Sequence, residues 1–180
     1  MIGEVWRLSN LLTLSRVVLA PVIAADILAD QYERALTLLF VAGLTDLFDG
    51  ILARRLGQES RFGAHADPVA DKILMSTVFL ALGFGRAAPA WLIALILGRD
   101  AAILGVAAIV MRRTSARSFP PSFWGKLSTF VQIGTALVLM AERAGQLERA
   151  LPLTVWAIQL CAVTTAWSGV HYAWRAWRTL

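Results

Sequence analysis

Residues 34–54 read RALTLLFVAGLTDLFDGILAR, an apolar run bracketed by arginines and broken only by Thr37, Thr45, Asp46 and Asp49 among its polar positions. As a helix this run is about 30 Å long, the thickness of a bilayer's hydrocarbon core. Five more apolar runs follow the same plan, at 11–28, 64–84, 89–111, 123–141 and 151–174. Breakers separate them: Gly57, Gly85 with Pro89, Pro120-Pro121, Gly145 and Pro152. Hydrophobic residues make up 58% of the 180 and charged residues 16%, whereas a soluble domain is about half apolar and a quarter charged. The expected fold is an all-α integral membrane protein, with six transmembrane helices in one bundle. It fills residues 1–180 as a single domain and leaves no room for a soluble one. The first run reads as a retained span, because Arg16 interrupts it and its length suits a full crossing.

The formal charge is +5, but the basic residues lie between apolar runs. Attraction to an anionic membrane face explains this without nucleic acid. If the amino terminus is cytoplasmic, that side receives Arg7, Arg54, Arg55, Arg61, Arg112, Arg113, Arg117, Arg175 and Arg178. The other side receives only Arg34, Arg86, Arg143 and Arg149. The bias predicts both termini in the cytoplasm of a multi-pass cell-membrane protein. A lone cysteine, Cys161, excludes an internal disulfide and a thiolate metal cluster.

The informative residues are charges where hydrocarbon is expected. Asp46 and Asp49 fall in the second run, Asp67 and Asp71 in the third. Four such residues oppose insertion by roughly 10 kcal/mol before depth and partners relieve them. On a helix Asp46 and Asp49 lie about 60° apart, and Asp67 and Asp71 about 40° apart. Each helix thus offers a carboxylate pair on one face. The short link 55–62 makes the two helices expected antiparallel neighbours, so the pairs would meet near the cytoplasmic end. Two carboxylates about 6 Å apart repel by near 3 kcal/mol at an effective dielectric of 20. Lys72 and Arg54 cannot neutralise four of them. Two hard divalent cations can, which points to magnesium or manganese and to displacement at phosphorus. Gly50 and Ala53 share the Asp46 stripe and leave space for a ligand against the backbone.

Written from Asp46 to Asp71, the pattern is D-x2-D-G-x2-A-R-x8-G-x3-D-x3-D, through Asp49, Gly50, Ala53, Arg54, Gly63 and Asp67. It resembles the signature of the CDP-alcohol phosphotransferase (phosphatidyltransferase) family, with all eight fixed positions present. The likeness runs from Asn10-Leu11-Leu12-Thr13 to about Gln132. The resemblance implies a metal-dependent transferase that moves the phosphatidyl group of CDP-diacylglycerol to an alcohol and releases CMP. It implies Asp46, Asp49, Asp67 and Asp71 as ligands of two magnesium or manganese ions, with Asp71 also the general base. It assigns Asn10, Asp49, Gly50, Ala53, Arg54 and Gly63 to the CDP site, and it suggests a homodimer. Without the resemblance, Asn10 is first a helix N-cap.

Arg99, Lys126 and Arg117 form the expected site for an acceptor's phosphate. Such an acceptor is glycerol-3-phosphate, giving phosphatidylglycerophosphate, or phosphatidylglycerol, giving cardiolipin. The segments Ser60-Arg61-Phe62-Gly63 and Trp124-Gly125-Lys126 look like phosphatidylglycerophosphate synthases, while Gly98-Arg99-Asp100 and Pro121-Ser122-Phe123 look like cardiolipin synthases. Synthases using glycerol-3-phosphate more often carry Glu where Asp100 stands. Glycerol-3-phosphate is the preferred reading. Arg16 and Asp26 read as charges at either side of the first helix, with Arg16 reaching the interface. The tryptophans at 156, 167, 174 and 177 read as interfacial anchors or packing. Other classes that place acids in spans are transporters, prenyltransferases and idle proteins of the same fold.

Overall fold

The computed structural model describes the backbone of residues 8–56, 61–113, 122–146 and 151–178. Side chains are described for 15–45, 69–106, 122–146, 152–175, 177 and 178. Six helices follow in order: α1 Leu8–Leu28, α2 Tyr32–Leu56, α3 Arg61–Phe84, α4 Ala90–Arg113, α5 Phe123–Arg143 and α6 Leu151–Trp177. The described residues contain no strand. Number, order and approximate limits agree with the sequence reading; the helices run up to three residues further at several ends. Apolar periodicity fades there, but the backbone ladder continues until a cap stops it.

Those caps share a design. At the end of α1, Gln31 N donates to Asp26 O (2.8 Å) and Asp30 N to Ile27 O (3.2 Å), with Asp30 at φ 58°. After α3, Ala87 N donates to Leu82 O (2.8 Å) and Arg86 N to Gly83 O (3.0 Å), with Arg86 at φ 55°. After α5, Gln146 N donates to Ala141 O and Gly145 N to Glu142 O, both 3.0 Å, with Gly145 at φ 74°. Each is a left-handed C-cap of Schellman type. Only the third uses the glycine that such geometry favours. Gly85, expected as the breaker after α3, serves another purpose. A Cβ there would lie 2.9 Å from the Tyr32 hydroxyl, which donates to Gly85 O at 3.3 Å. The glycine lets the start of α2 approach the end of α3.

The chief packing is α1 on α3 and α5 on α6, with α1 also against α2 and α4 against α6. Among the described residues α2 and α3 are therefore joined through α1 more than to each other, unlike the direct pairing expected from their short link. Ile23 and Ile27 of α1, Val78, Phe79 and Leu82 of α3, Leu92 and Ile96 of α4, and Leu139 and Met140 of α5 belong to one core cluster. The α5–α6 seam is different. Its buried positions on α5 include Gly125, Ser128, Gln132 and Thr135, and on α6 Thr154, Cys161, Thr165 and Ser168. Ser128 and Thr165 hydroxyls lie 3.3 Å apart, and Gln132 Nε2 donates to both, at 3.3 and 3.2 Å. Thr135 donates to Ala157 O at 3.2 Å. Large apolar side chains such as Phe130, Leu160, Val163 and Val170 face outward. Polar residues inside and apolar residues outside invert the soluble pattern and suit packing in lipid. Among the described residues, Phe123–Arg143 and Pro152–Arg175 are long and apolar enough to cross a membrane.

Candidate functional site

All four aspartates stand in helices. Asp46 and Asp49 are in α2, Asp67 and Asp71 in α3. Four residues separate Leu56 from Arg61, so the end of α2 and the start of α3 lie on one side of the bundle. Counted from those ends at 1.5 Å per residue, Asp49 and Asp67 stand about 10 Å in, and Asp46 and Asp71 about 15 Å in. Each helix thus carries one carboxylate about 10 Å and one about 15 Å from its end on that side. The side chains of Asp46, Asp49 and Asp67 lie outside the described residues. So do those of Asn10, Ala53 and Arg54, whose backbones are helical like those of Gly50 and Gly63, and the whole of Arg117.

Asp71 is described, half-exposed, and its Oδ1 accepts from Nη1 of Arg16 on α1. Arg16 is 5% exposed, so its guanidinium does not reach the interface as expected; it turns inward to the carboxylate. The pairing has a physical cause. Leu8 and Arg61 begin their helices, and Arg16 and Asp71 stand about 12 and 15 Å along them, so opposite charges meet at one depth. Nothing in the third run alone reveals this; comparing depths between the first and third runs would have. Asp26, at the far end of α1, pairs with Arg34 of α2 at 3.4 Å.

The next residue, Lys72, faces a different neighbour. Its Nζ is 3.3 Å from Oδ1 of Asp100 on α4, and the same oxygen accepts from Arg99 Nη1 at 2.7 Å. Arg99 is deeply buried, with its side chain 8% exposed. Its Nη2 donates to Ser168 of α6, and its guanidinium lies 6.0 Å from the centre of the Tyr172 ring. The Tyr172 hydroxyl accepts from Ser122 N at 2.8 Å, and Ser122 Oγ caps α5 by accepting from Gly125 N at 3.1 Å. Arg99, expected to meet an acceptor's phosphate, engages the adjacent Asp100 carboxylate and the Ser168 hydroxyl inside the bundle. Sequence reading missed Ser168, Tyr172 and the cap at Ser122, which helical spacing on distant segments does not advertise.

Lys126 is exposed on the first turn of α5. Because α5 begins at the level of Tyr172 while α4 continues about 20 Å beyond Asp100, Lys126 sits beside the longer helices rather than beneath them. One charged layer thus runs Arg16, Asp71, Lys72, Asp100, Arg99, with three cations against two carboxylates. A groove of about 470 Å³ at the opposite end, lined by Leu36, Phe40, Leu137 and Val138 among others, carries no charged side chain.

The hard-oxygen donor set fits divalent metal. Among the described residues no three such side chains gather to hold an ion.

Comparison with known proteins bears on the chemistry. A profile described as CDP-alcohol phosphatidyltransferase matches residues 6–167. The chain is 34% identical to a probable phosphatidylglycerophosphate synthase of Mycobacterium tuberculosis, covering 99% of this chain and 85% of that protein. It is 32% identical to a probable cardiolipin synthase (CMP-forming) of Drosophila melanogaster, covering 94% of this chain but 57% of that protein. It is 30% identical to an Arabidopsis thaliana CDP-diacylglycerol–glycerol-3-phosphate 3-phosphatidyltransferase, covering 99% of this chain and 83% of that protein.

Proposed function

Because the chain belongs to the CDP-alcohol phosphatidyltransferase family, we propose that it transfers the phosphatidyl group of CDP-diacylglycerol to glycerol-3-phosphate. The products are phosphatidylglycerophosphate and CMP. The observation that carries this reading is the eight-position signature from Asp46 to Asp71, which the backbone sets on two consecutive helices, α2 and α3.

Asp46, Asp49, Asp67 and Asp71 would hold two magnesium or manganese ions, whose chemistry is stabilisation of charge on the departing CMP. Asn10, Gly50, Ala53, Arg54 and Gly63 line the CDP site, with small residues leaving the backbone open to the ligand. Asp71 takes the proton from the acceptor hydroxyl. The freed oxygen attacks the phosphatidyl phosphorus directly, and the bond to CMP breaks. Arg16 holds Asp71 from the side of α1. Lys126 and Arg117 receive the acceptor's phosphate, and Arg99 is engaged with Asp100 and Ser168.

The outward apolar residues, the inward polar seam and the two span-length helices support a membrane setting. We read all six helices as spans of the cell membrane, with both termini and the catalytic layer on the cytoplasmic side. Asp100, where glycerol-3-phosphate enzymes more often carry Glu, favours a second reading with phosphatidylglycerol as acceptor and cardiolipin as product.

The test is purified protein with CDP-diacylglycerol, magnesium and a panel of glycerol-3-phosphate, phosphatidylglycerol, serine and inositol. CMP release with phosphatidylglycerophosphate identified by mass supports the first reading, and cardiolipin supports the second. Absence of transfer to every acceptor, with donor bound, overturns both.

A further inference from the structure

Consecutive residues of α3 are gripped from two sides. Asp71 is held by Arg16 of α1. Lys72, about 100° further round the helix, is held by Asp100 of α4 at 3.3 Å. Asp100 cannot shift freely, because Arg99 binds the same oxygen at 2.7 Å and is itself tied to Ser168 of α6. The Asp100 side chain is 14% exposed, so water offers little substitute for either contact. Rotation of α3 about its axis would break one grip or the other.

We propose that Asp100 is a positioning residue: through Lys72 it fixes the azimuth of the α3 turn that presents Asp71, and Arg99 is the strut that anchors it. Asp100 touches neither donor nor acceptor. The inference rests on the transferase reading above and adds a residue to it. A small misplacement of a reacting group is costly, and a shift near 1 Å can lower turnover about a hundredfold. Loss of one of two grips should move Asp71 by less than that.

The experiment uses the full chain, purified in detergent, as wild type, Asp100→Asn, Asp100→Glu, Lys72→Gln and the Lys72→Gln/Asp100→Asn double variant. CMP release is measured against donor, acceptor and magnesium concentration, per folded protein, alongside thermal melting. Asp100→Asn is expected to lower kcat about tenfold with acceptor KM within about twofold. Asp100→Glu should restore most of the loss, and the double variant should be no slower than Asp100→Asn alone, since both remove one interaction.

Three results would overturn the proposal: unchanged kcat per folded Asp100→Asn protein, even with a lower melting temperature; a raised acceptor KM at constant kcat; or multiplicative losses in the double variant. The KM result would move the Asp100–Arg99 pair into the acceptor site. A wild-type chain that releases no CMP with any acceptor defeats the transferase reading and this role together. An active wild type with an indifferent Asp100 defeats this role alone.

Discussion

Replacing Arg16 by Met keeps most of the side-chain volume and removes the charge that faces Asp71. The guanidinium side chain is 6% exposed and its partner 49%. A contact pair taken at about 3 Å, with an effective dielectric of 20, is attracted by about 5 kcal/mol. Water at the half-exposed carboxylate recovers about half of that on separation, and burying an arginine carries its own desolvation cost. The expected loss is therefore about 2 kcal/mol, or a fall of about 5 °C in melting temperature for a chain of this size. Tryptophan fluorescence during thermal unfolding in detergent would follow it. Volume effects of Met cancel in a cycle with Asp71→Asn. Arg16→Met should cost at least about 1 kcal/mol less when Asp71 is already neutral. Additive losses in that cycle, or an Arg16→Met protein as stable as wild type, would refute the pairing and with it the assignment of Arg16 to the charged layer.

Arg86 occupies a left-handed cap at φ 55°, so Arg86→Gly should raise stability by about 1 kcal/mol, read from the same melts. Gly85→Ala, which pushes a methyl group to 2.9 Å from the Tyr32 hydroxyl, should lower stability by about 1–3 kcal/mol, and a Tyr32→Phe background should relieve part of it. Gln132→Leu should cost only about 1 kcal/mol, because Ser128 and Thr165 stay within hydrogen-bond distance of one another without the amide; a larger loss would show that the amide organises the seam. Chelation of divalent ions should abolish CMP release and added magnesium or manganese restore it, and Asp46→Asn should lower turnover at least about a hundredfold at saturating donor. Turnover that survives the chelator would remove the metals from the scheme. Asp71→Asn with near-normal turnover would remove the general base.

The six helices were legible in the chain because each is a long apolar run of about 20 residues, and breakers mark where the runs end. The carboxylate pattern was legible for a similar reason. Charges in such runs are costly, so their spacing stands out, and helical geometry places Asp46, Asp49, Asp67 and Asp71 on turns that the backbone reproduces. The caps were less legible. Gly85 looked like the stop after α3, yet Arg86 takes the left-handed turn and Gly85 gives room to Tyr32. A glycine's conformational freedom and its small size leave the same letter in the sequence.

What the chain determined by itself was the inventory: helix count, order, the level of each acid along its own helix, and the family signature. Which helix faces which was decided only in three dimensions. Arg16 turned inward because α1 packs on α3 and brings it level with Asp71, and Arg99 reaches Ser168 because α4 packs on α6, while its carboxylate partner Asp100 is the next residue of its own helix. Periodicity records the face a helix hides but carries no information about the neighbour that hides it. Long, flexible cations settle on whichever counter-charge that neighbour supplies.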